Sequence, residues 1–181
     1  QEVKKIIFEI LKLNKIKIIH CLIIHDPLLP LSGKKWIQIY NYLIKLKKRG
    51  IIKKIGISVY NKLELDNILV NFTPDLVQFP LNVFNQEFYN PKYLKKLKQK
   101  KITLVARSVF LQGLLCNKKL SSKIFFKPWT EDINNWFKYV KLTKKKPEEL
   151  CLAFVLSCKY LDYIILGVDN IDQLKKNLNF I

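Results

Sequence analysis

Methionine is absent from the chain, arginine occurs only at Arg49 and Arg107, and glycine appears only five times. Each scarcity removes a reading. With no Met and with Gln1 at the start, the 181 residues are expected to be a processed chain or a fragment of a longer one. The net charge of +19 invites a nucleic-acid reading. Yet all but two of the 33 basic residues are Lys, whereas Arg does much of the bidentate work at phosphates and bases. The lysines group at 45, 47 and 48, at 95, 96, 98, 100 and 101, and at 141 and 144 to 146. Each group falls at the end of a predicted helix, where cations complement the macrodipole. They read as solvated helix ends, and no nucleic-acid partner is expected.

The phosphate fingerprints Gly-x-Gly-x-x-Gly and Gly-x-x-x-x-Gly-Lys are missing, and so is the Gly-x-Ser-x-Gly of a serine hydrolase. Uninterrupted apolar runs reach only a handful of residues, such as Cys21 to Ile24, while a bilayer span needs about 20. No membrane partner is expected, and no signal-peptide pattern opens the chain. The four cysteines, Cys21, Cys116, Cys151 and Cys158, contain no Cys-x-x-Cys pair. That argues against a disulfide framework or zinc site and for a reducing, cytoplasmic setting. Cys151 and Cys158 share one face of a predicted helix and read as core. His20 and His25 lie five apart on a predicted strand, on opposite faces, so they share no metal and no metal site is expected.

What is present reads as one ordinary globular domain, 49% hydrophobic and 26% charged. Apolar spacing predicts helices over 1–13, 36–48, 63–70, 93–100, 132–144, 147–159 and 171–178. Short β-branched runs predict strands over 16–24, 55–59, 76–79, 102–106 and 163–166. A polar excursion fills 116–128. The strands are apolar throughout rather than alternating, which is the pattern of a parallel sheet covered on both faces. The expected fold class is α/β, either doubly wound or a (β/α)₈ barrel, and five strands are too few to close a barrel.

In both architectures a site lies at the carboxyl ends of the strands. Those ends carry His25-Asp26, Ser58, Gln78 with Asn82, Arg107-Ser108, and Gly167 with Asp169. Singly, each has a bland reading. His25 can be a hydrogen-bonded structural residue, Gln78 can satisfy a backbone group, Arg107 can pair with Asp26 or Asp169, and Gly167 is ordinary turn chemistry. Their convergence on one rim is what points to a site.

Five segments in order resemble the aldo-keto reductase family. They are Leu22-Ile23-Ile24-His25-Asp26-Pro27, the run from Leu46 to Ser58, the run from Pro74 to Asn82, the stretch from Ile102 to Leu115, and Leu166-Gly167-Val168 with Gln173, Leu174 and Asn177. The run Arg107-Ser108-Val109-Phe110-Leu111-Gln112-Gly113-Leu114-Leu115 is similar to a bacterial subgroup. The resemblance implies strands 4 to 8 of a TIM barrel, with residues 1–181 as the C-terminal part of a single barrel domain. The first three strands would precede Gln1, leaving the edge of residues 16–24 uncovered.

The resemblance further implies a nicotinamide-dependent oxidoreductase that interconverts aldehydes or ketones and alcohols, with a small carbonyl compound as partner. Of the family's Asp, Tyr, Lys and His, only the His, as His25, falls in this chain, so the fragment alone is expected to be inactive. By position, Ser58 and Gln78 would hold the nicotinamide carboxamide. Arg107 would stand where many members stack an aromatic ring. Ser108, Leu111, Gln112 and Gly113 would follow the pyrophosphate, and Asn177 would face the adenine. Gly167 and Gln173 stand where NADPH-dependent members often carry Lys or Arg, and Asp169 adds a negative charge nearby. NADP is expected on family habit, with NAD as the alternative. A non-catalytic remnant or binding module on the same scaffold remains the competing reading.

Overall fold

The computed structural model describes residues 2–25, 34–122 and 124–180. The elements in order are α1 (Glu2–Leu13), β1 (Ile19–Ile24), α2 (Lys34–Lys48), β2 (Ile52–Ser58), α3 (Lys62–Asn71), β3 (Leu76–Pro80), α4 (Pro91–Gln99) and β4 (Thr103–Arg107). Two 3-10 segments follow, Lys118–Ser122 and Ile124–Trp129, and then α5 (Thr130–Thr143), α6 (Pro147–Leu156), β5 (Tyr163–Ile164) and α7 (Ile171–Leu178). The sheet order is β1-β2-β3-β4-β5. β1 pairs parallel with β2, β2 with β3, and β4 with β5. A doubly wound sheet reverses its strand order at a switch point. This order never reverses, so the sheet carries no such switch point.

The chain divides into two compact units, Gln1–Phe79 with Lys96–Leu104, and Pro80–Lys95 with Val105–Ile181. In the first, β2 is covered on both faces: Ile55, Gly56 and Ile57 are all buried. Ile7 of α1, Leu43 and Leu46 of α2, and Leu65 and Ile68 of α3 complete the core. Gly56 is where the packing is tightest. A Cβ there would lie 3.0 Å from Cys21 Sγ, 3.1 Å from Ile23 and 3.2 Å from Leu76. Burial, and after it the Asp75 charge, pushes the Cys21 thiol up to about 11.

Three of the helices that feed strands end in the same way, while α3 ends at Phe72 in extended backbone with its N–H on Ile68 O at 3.0 Å. At α1, Lys15 takes a left-handed φ of 51°, Ile16 N–H bonds to Leu11 O, and Lys15 N–H bonds to Lys12 O. Gly50 repeats the pattern with Ile51 to Leu46 and Gly50 to Lys47, and Lys101 repeats it with Ile102 to Leu97 and Lys101 to Lys98. These are Schellman caps, which satisfy the last carbonyls and turn the chain sharply. The first strand therefore starts at Ile19 rather than at residue 16, because Ile16 serves the cap.

Asp75 precedes β3 and ties three strands together. Its N–H donates to Ile55 O at 2.9 Å, and its carbonyl accepts Thr103 N–H at 2.9 Å. Its carboxylate accepts Ile55 N–H at 2.8 Å and both oxygens take Lys47 Nζ, at 2.6 and 2.7 Å. Lys47 is thus not one of the solvated helix-end lysines. It is the cation of a part-buried ion pair.

The buried core of the second unit includes Leu81, Phe88, Val105, Ala106 and Leu115, with Ile133 and Trp136 of α5 and Leu152 and Val155 of α6. Trp136 Nε1 donates to Leu115 O at 2.9 Å. Cys151 and Cys158 are both buried, but Cys158 lies beyond the end of α6 and not on its face. α6 stops at Leu156 rather than at residue 159, and β5 is two residues long, extended only by Ile165 N–H to Ala106 O at 2.8 Å. No described helix is long and apolar enough to cross a membrane.

Asp75→Ala should cost about 3 kcal/mol, because it removes a charge-assisted bond to the β2 backbone as well as the ion pair. Lys47→Ala should cost only about 1 kcal/mol, because it removes a half-exposed pair and leaves the amide bond in place. Urea unfolding midpoints of the two variants measure the difference, and equal losses would contradict this division.

Candidate functional site

In the first unit, β2 and β3 place Ser58 opposite Gln78. Ser58 is fully buried, and its hydroxyl donates to Gln78 Oε1 at 3.2 Å, while Val59 N–H bonds to Gln78 O at 2.9 Å. With Oε1 accepting from Ser58, Nε2 is the donor end of the Gln78 amide. His25 lies just past the end of β1 and is exposed. It therefore belongs to the loop, not to the strand as its spacing from His20 implied. Asp26 lies outside the described residues.

In the second unit, β4 ends at Arg107, whose carbonyl accepts Leu81 N–H at 3.1 Å and whose Nη1 donates to Ser108 Oγ at 3.2 Å. The chain then turns repeatedly. Ser108, Leu111, Gln112 and Gly113 have φ of 58°, 46°, 56° and 83°. Three left-handed residues that are not glycine are costly and persist only where their surroundings fix them. Asn82 is part of that surrounding. It is 1% exposed, its Nδ2 donates to Ser108 O at 3.0 Å, and its Oδ1 accepts Phe84 N–H and Asn85 N–H at 3.0 and 2.9 Å. Further bonds from Leu111 N–H to Ser108 O and from Gly113 N–H to Phe110 O, at 2.9 and 3.0 Å, wind the loop on itself.

A cavity of about 560 Å³ lies against this loop, within the size range of small-molecule and cofactor sites. Ser108, Gln112 and Gly113 line it from one side, and Gly167, Asp169, Gln173 and Asn177 from the β5–α7 side. Asn170 caps α7 by accepting Gln173 N–H at 2.9 Å, and Gln173 Oε1 accepts Asp169 N–H at 2.8 Å. Asn177 is 4% exposed. Seven residues expected from the sequence thus share one cavity. Arg107 is not on its wall, and Leu111 faces a second, aromatic cavity of about 880 Å³ with Phe84, Trp129 and Trp136, whose wall Gln112 shares.

Three further polar wall residues are Cys116, Glu148 and Lys176. Cys116 sits just beyond the loop, Glu148 in the first turn of α6 and Lys176 in the last turn of α7. The neighbouring Cys116 thiol, and after it burial, raises the pKa of the Cys151 thiol far above its ordinary value. Among the described residues no three His, Cys, Asp or Glu side chains cluster as a metal site.

The cavity wall offers a hydroxyl at Ser108, amides at Gln112, Gln173 and Asn177, a cation at Lys176 and carboxylates at Glu148 and Asp169. Residues 1–181 match the family model described as the Aldo/keto reductase family. No curated protein matches the chain. Among solved structures, an aldo-keto reductase from Bacillus halodurans in its apo form superimposes with a TM-score of 0.75 at 16% identity, covering 98% of this chain and 61% of that one. The thermostable aldo-keto reductase Tm1743, in complex with the inhibitor epalrestat, gives 0.67 at 19% identity with 98% and 60% covered. An aldo/keto reductase from Brucella melitensis gives 0.61 at 20% with 98% and 60% covered. The chain therefore spans about three fifths of the length of these structures, and their likeness shows the fold.

Asn82→Ala should cost about 2–3 kcal/mol, since it leaves two backbone amides and the Ser108 carbonyl without their partner. Hydrogen exchange should speed up at the amides of residues 108–113 before it does at β2. Unchanged protection there would show that Asn82 does not hold the loop.

Proposed function

The chain belongs to the aldo/keto reductase family, and from that premise we propose that it is part of a nicotinamide-dependent oxidoreductase that interconverts a small aldehyde or ketone and its alcohol. In this reading the five strands are strands 4 to 8 of an eight-stranded barrel, and residues 1–181 are the C-terminal part of that single domain. The observation that supports it most directly is the 560 Å³ cavity, which the loops after β4 and β5 line with seven of the eleven residues expected to bind cofactor.

Ser58 and Gln78 hold the carboxamide of the nicotinamide: Ser58 fixes Oε1, so Gln78 presents its Nε2. Ser108, Gln112 and Gly113 follow the pyrophosphate, where the left-handed turns bring backbone close to the ligand with little side-chain bulk. Leu111 supports the turn from the aromatic side. Asn177 faces the adenine. Arg107 keeps Ser108 oriented through its Nη1 and offers a guanidinium plane toward the nicotinamide. His25 donates to the carbonyl oxygen of the substrate and orients it. The bound nicotinamide supplies the hydride chemistry. The oxygen must then gain a proton, and the family's Asp, Tyr and Lys, which would do this, have no counterpart in these residues. The chain by itself therefore binds cofactor without turnover.

The cofactor proposed is NADP, with Lys176 as the cation for a 2′-phosphate. A second reading, NAD, is favoured by one observation: Asp169 and Glu148 line the same cavity and oppose a further negative group. Gly167 and Gln173 supply no charge of their own.

The full-length protein, mixed with NADPH or NADH and a panel of aldehydes, should oxidise the cofactor, and His25→Ala should lower kcat/KM by about 100-fold with cofactor affinity unchanged. Failure of both cofactors to bind would remove the proposal. Binding without turnover in the full-length protein would favour a non-catalytic module on this scaffold. Asp169→Asn should tighten NADPH by roughly fivefold relative to NADH at low salt, about 1 kcal/mol, and the gain should shrink as salt rises.

A further inference from the structure

In the first unit the helix-to-strand joints fall on one rim of the sheet. β1, β2 and β3 are parallel, and Thr103 N–H at the start of β4 reaches Asp75 O just before β3. That rim is almost wholly cationic. Lys12, Lys45, Lys48 and Lys96 lie in the last turns of α1, α2 and α4, and Lys15, Lys17, Arg49, Lys53, Lys100 and Lys101 lie beyond those helices. All are exposed, and none is in an ion pair among the described residues. Asp75 is the acid at these joints, and Lys47 already engages it. Glu9, further back on α1, faces Lys5 at 3.9 Å. Glu2, Glu64 and Asp66 lie in the first halves of α1 and α3, toward the opposite rim.

The helix macrodipole favours a cation in the last turn, and its effect falls off beyond it. Lys17 and Lys53, on the strand side of the caps at Lys15 and Gly50, are outside that reach. From β1 to β4 the strand starts span three sheet spacings, about 14 Å. That is little more than the distance over which salt screens a charge, so the fields of the three joints add. The same rim exposes apolar side chains at the α1–β1 joint. Leu13, Ile16 and Ile18 are 80%, 42% and 47% exposed, interleaved with Lys12, Lys15 and Lys17. We propose that this rim is a docking surface for an anionic lipid bilayer, with the lysines on the headgroups and Leu13, Ile16 and Ile18 at the acyl boundary.

No described helix crosses a bilayer, and peripheral attachment needs none. It needs basic side chains together with apolar area to bury. A nucleic acid would instead call for guanidinium forks and aromatic platforms. At these joints Arg49 is the one arginine, and the one aromatic, Phe72 between α3 and β3, is 5% exposed. Lysine is a point charge on a flexible stem, which suits headgroups that shift laterally better than a fixed phosphate geometry. Leu13, Ile16 and Ile18 add nothing at a phosphate backbone, while a lipid boundary takes them out of water.

Sedimentation of the full-length protein with phosphatidylcholine vesicles, with and without phosphatidylserine, tests the surface. The expected result is binding to the phosphatidylserine vesicles alone, weakening as salt rises. Lys17→Gln with Lys100→Gln should weaken binding by about fivefold for each charge removed. Leu13→Asn should weaken it roughly tenfold and leave its salt dependence unchanged. Lys4→Gln with Lys92→Gln, at the starts of α1 and α4, should leave binding unchanged, which separates a located rim from the net charge of +19. Equal losses from the two lysine pairs, no effect of Leu13→Asn, no binding to phosphatidylserine vesicles, or tighter binding to a DNA duplex than to those vesicles would overturn the proposal. None of these readouts uses the cofactor, so the docking surface and the proposed activity stand or fall separately.

Discussion

The carboxylate of Asp75 is the constraint on which the first unit depends. A parallel sheet has no hairpins to fix its register, so each strand must be aligned by contacts at its ends. Asp75 does this for three strands at once. Its backbone pairs with Ile55 and Thr103, and its side chain takes the Ile55 amide and Lys47 from α2. That alignment sets Ser58 opposite Gln78 three residues further on. A one-residue slip would move both polar groups to the other face of the sheet and replace them with Ile57 and Val77, which are core. The register of the candidate carboxamide pair is thus decided at the opposite end of the strands from the pair itself.

The helices and strands were legible because their signals are local. Periodic apolar residues mark α2 and α4, and β-branched runs mark β2 and β4. The joints were less so. Gly50 advertises its left-handed cap, but Lys15 and Lys101 adopt the same conformation with nothing in the residue type to show it. Lys47 was read with the solvated lysines because a sequence lists charges without their partners, and Asp75 lies 28 residues away. Of the seven wall residues, Ser108, Gly167 and Asp169 stand out as strand-end groups, while Gln112, Gly113, Gln173 and Asn177 enter only through the family resemblance. Asn82 had been noticed as a strand-end polar group, but its work, bracing Ser108 across 26 residues, is a tertiary fact.

The loop after β4 shows how a chain with few glycines builds a close-approach site. Gly113 is the single glycine in a turn that needs four left-handed residues. Ser108, Leu111 and Gln112 bear the cost of that conformation, on the order of 1–2 kcal/mol each. Local bonds and the Asn82 amide offset it. The three side chains that result are each placed on purpose-built walls: Ser108 toward the polar cavity, Leu111 toward the aromatic one, and Gln112 on both. A glycine-rich loop would relieve the strain and lose this division of surfaces.

The electrostatics of the polar cavity argue against reading the net charge of +19 as a guide to the ligand. The cavity wall carries Asp169, Glu148 and Lys176, one cation against two carboxylates. The lysines that dominate the composition lie instead near helix ends, where solvent screens them within about 10 Å. Selection of an anionic ligand must then come from oriented neutral donors, the Ser108 hydroxyl and the amides of Gln112, Gln173 and Asn177, together with the amino end of α7. Neutral donors discriminate by geometry rather than by charge count. On the reading proposed above, such a site would hold a pyrophosphate along the loop and resist a further phosphate beside Asp169. The balance of Asp169 and Glu148 against Lys176, and not the basic character of the chain, would then set the choice between the two nicotinamide cofactors.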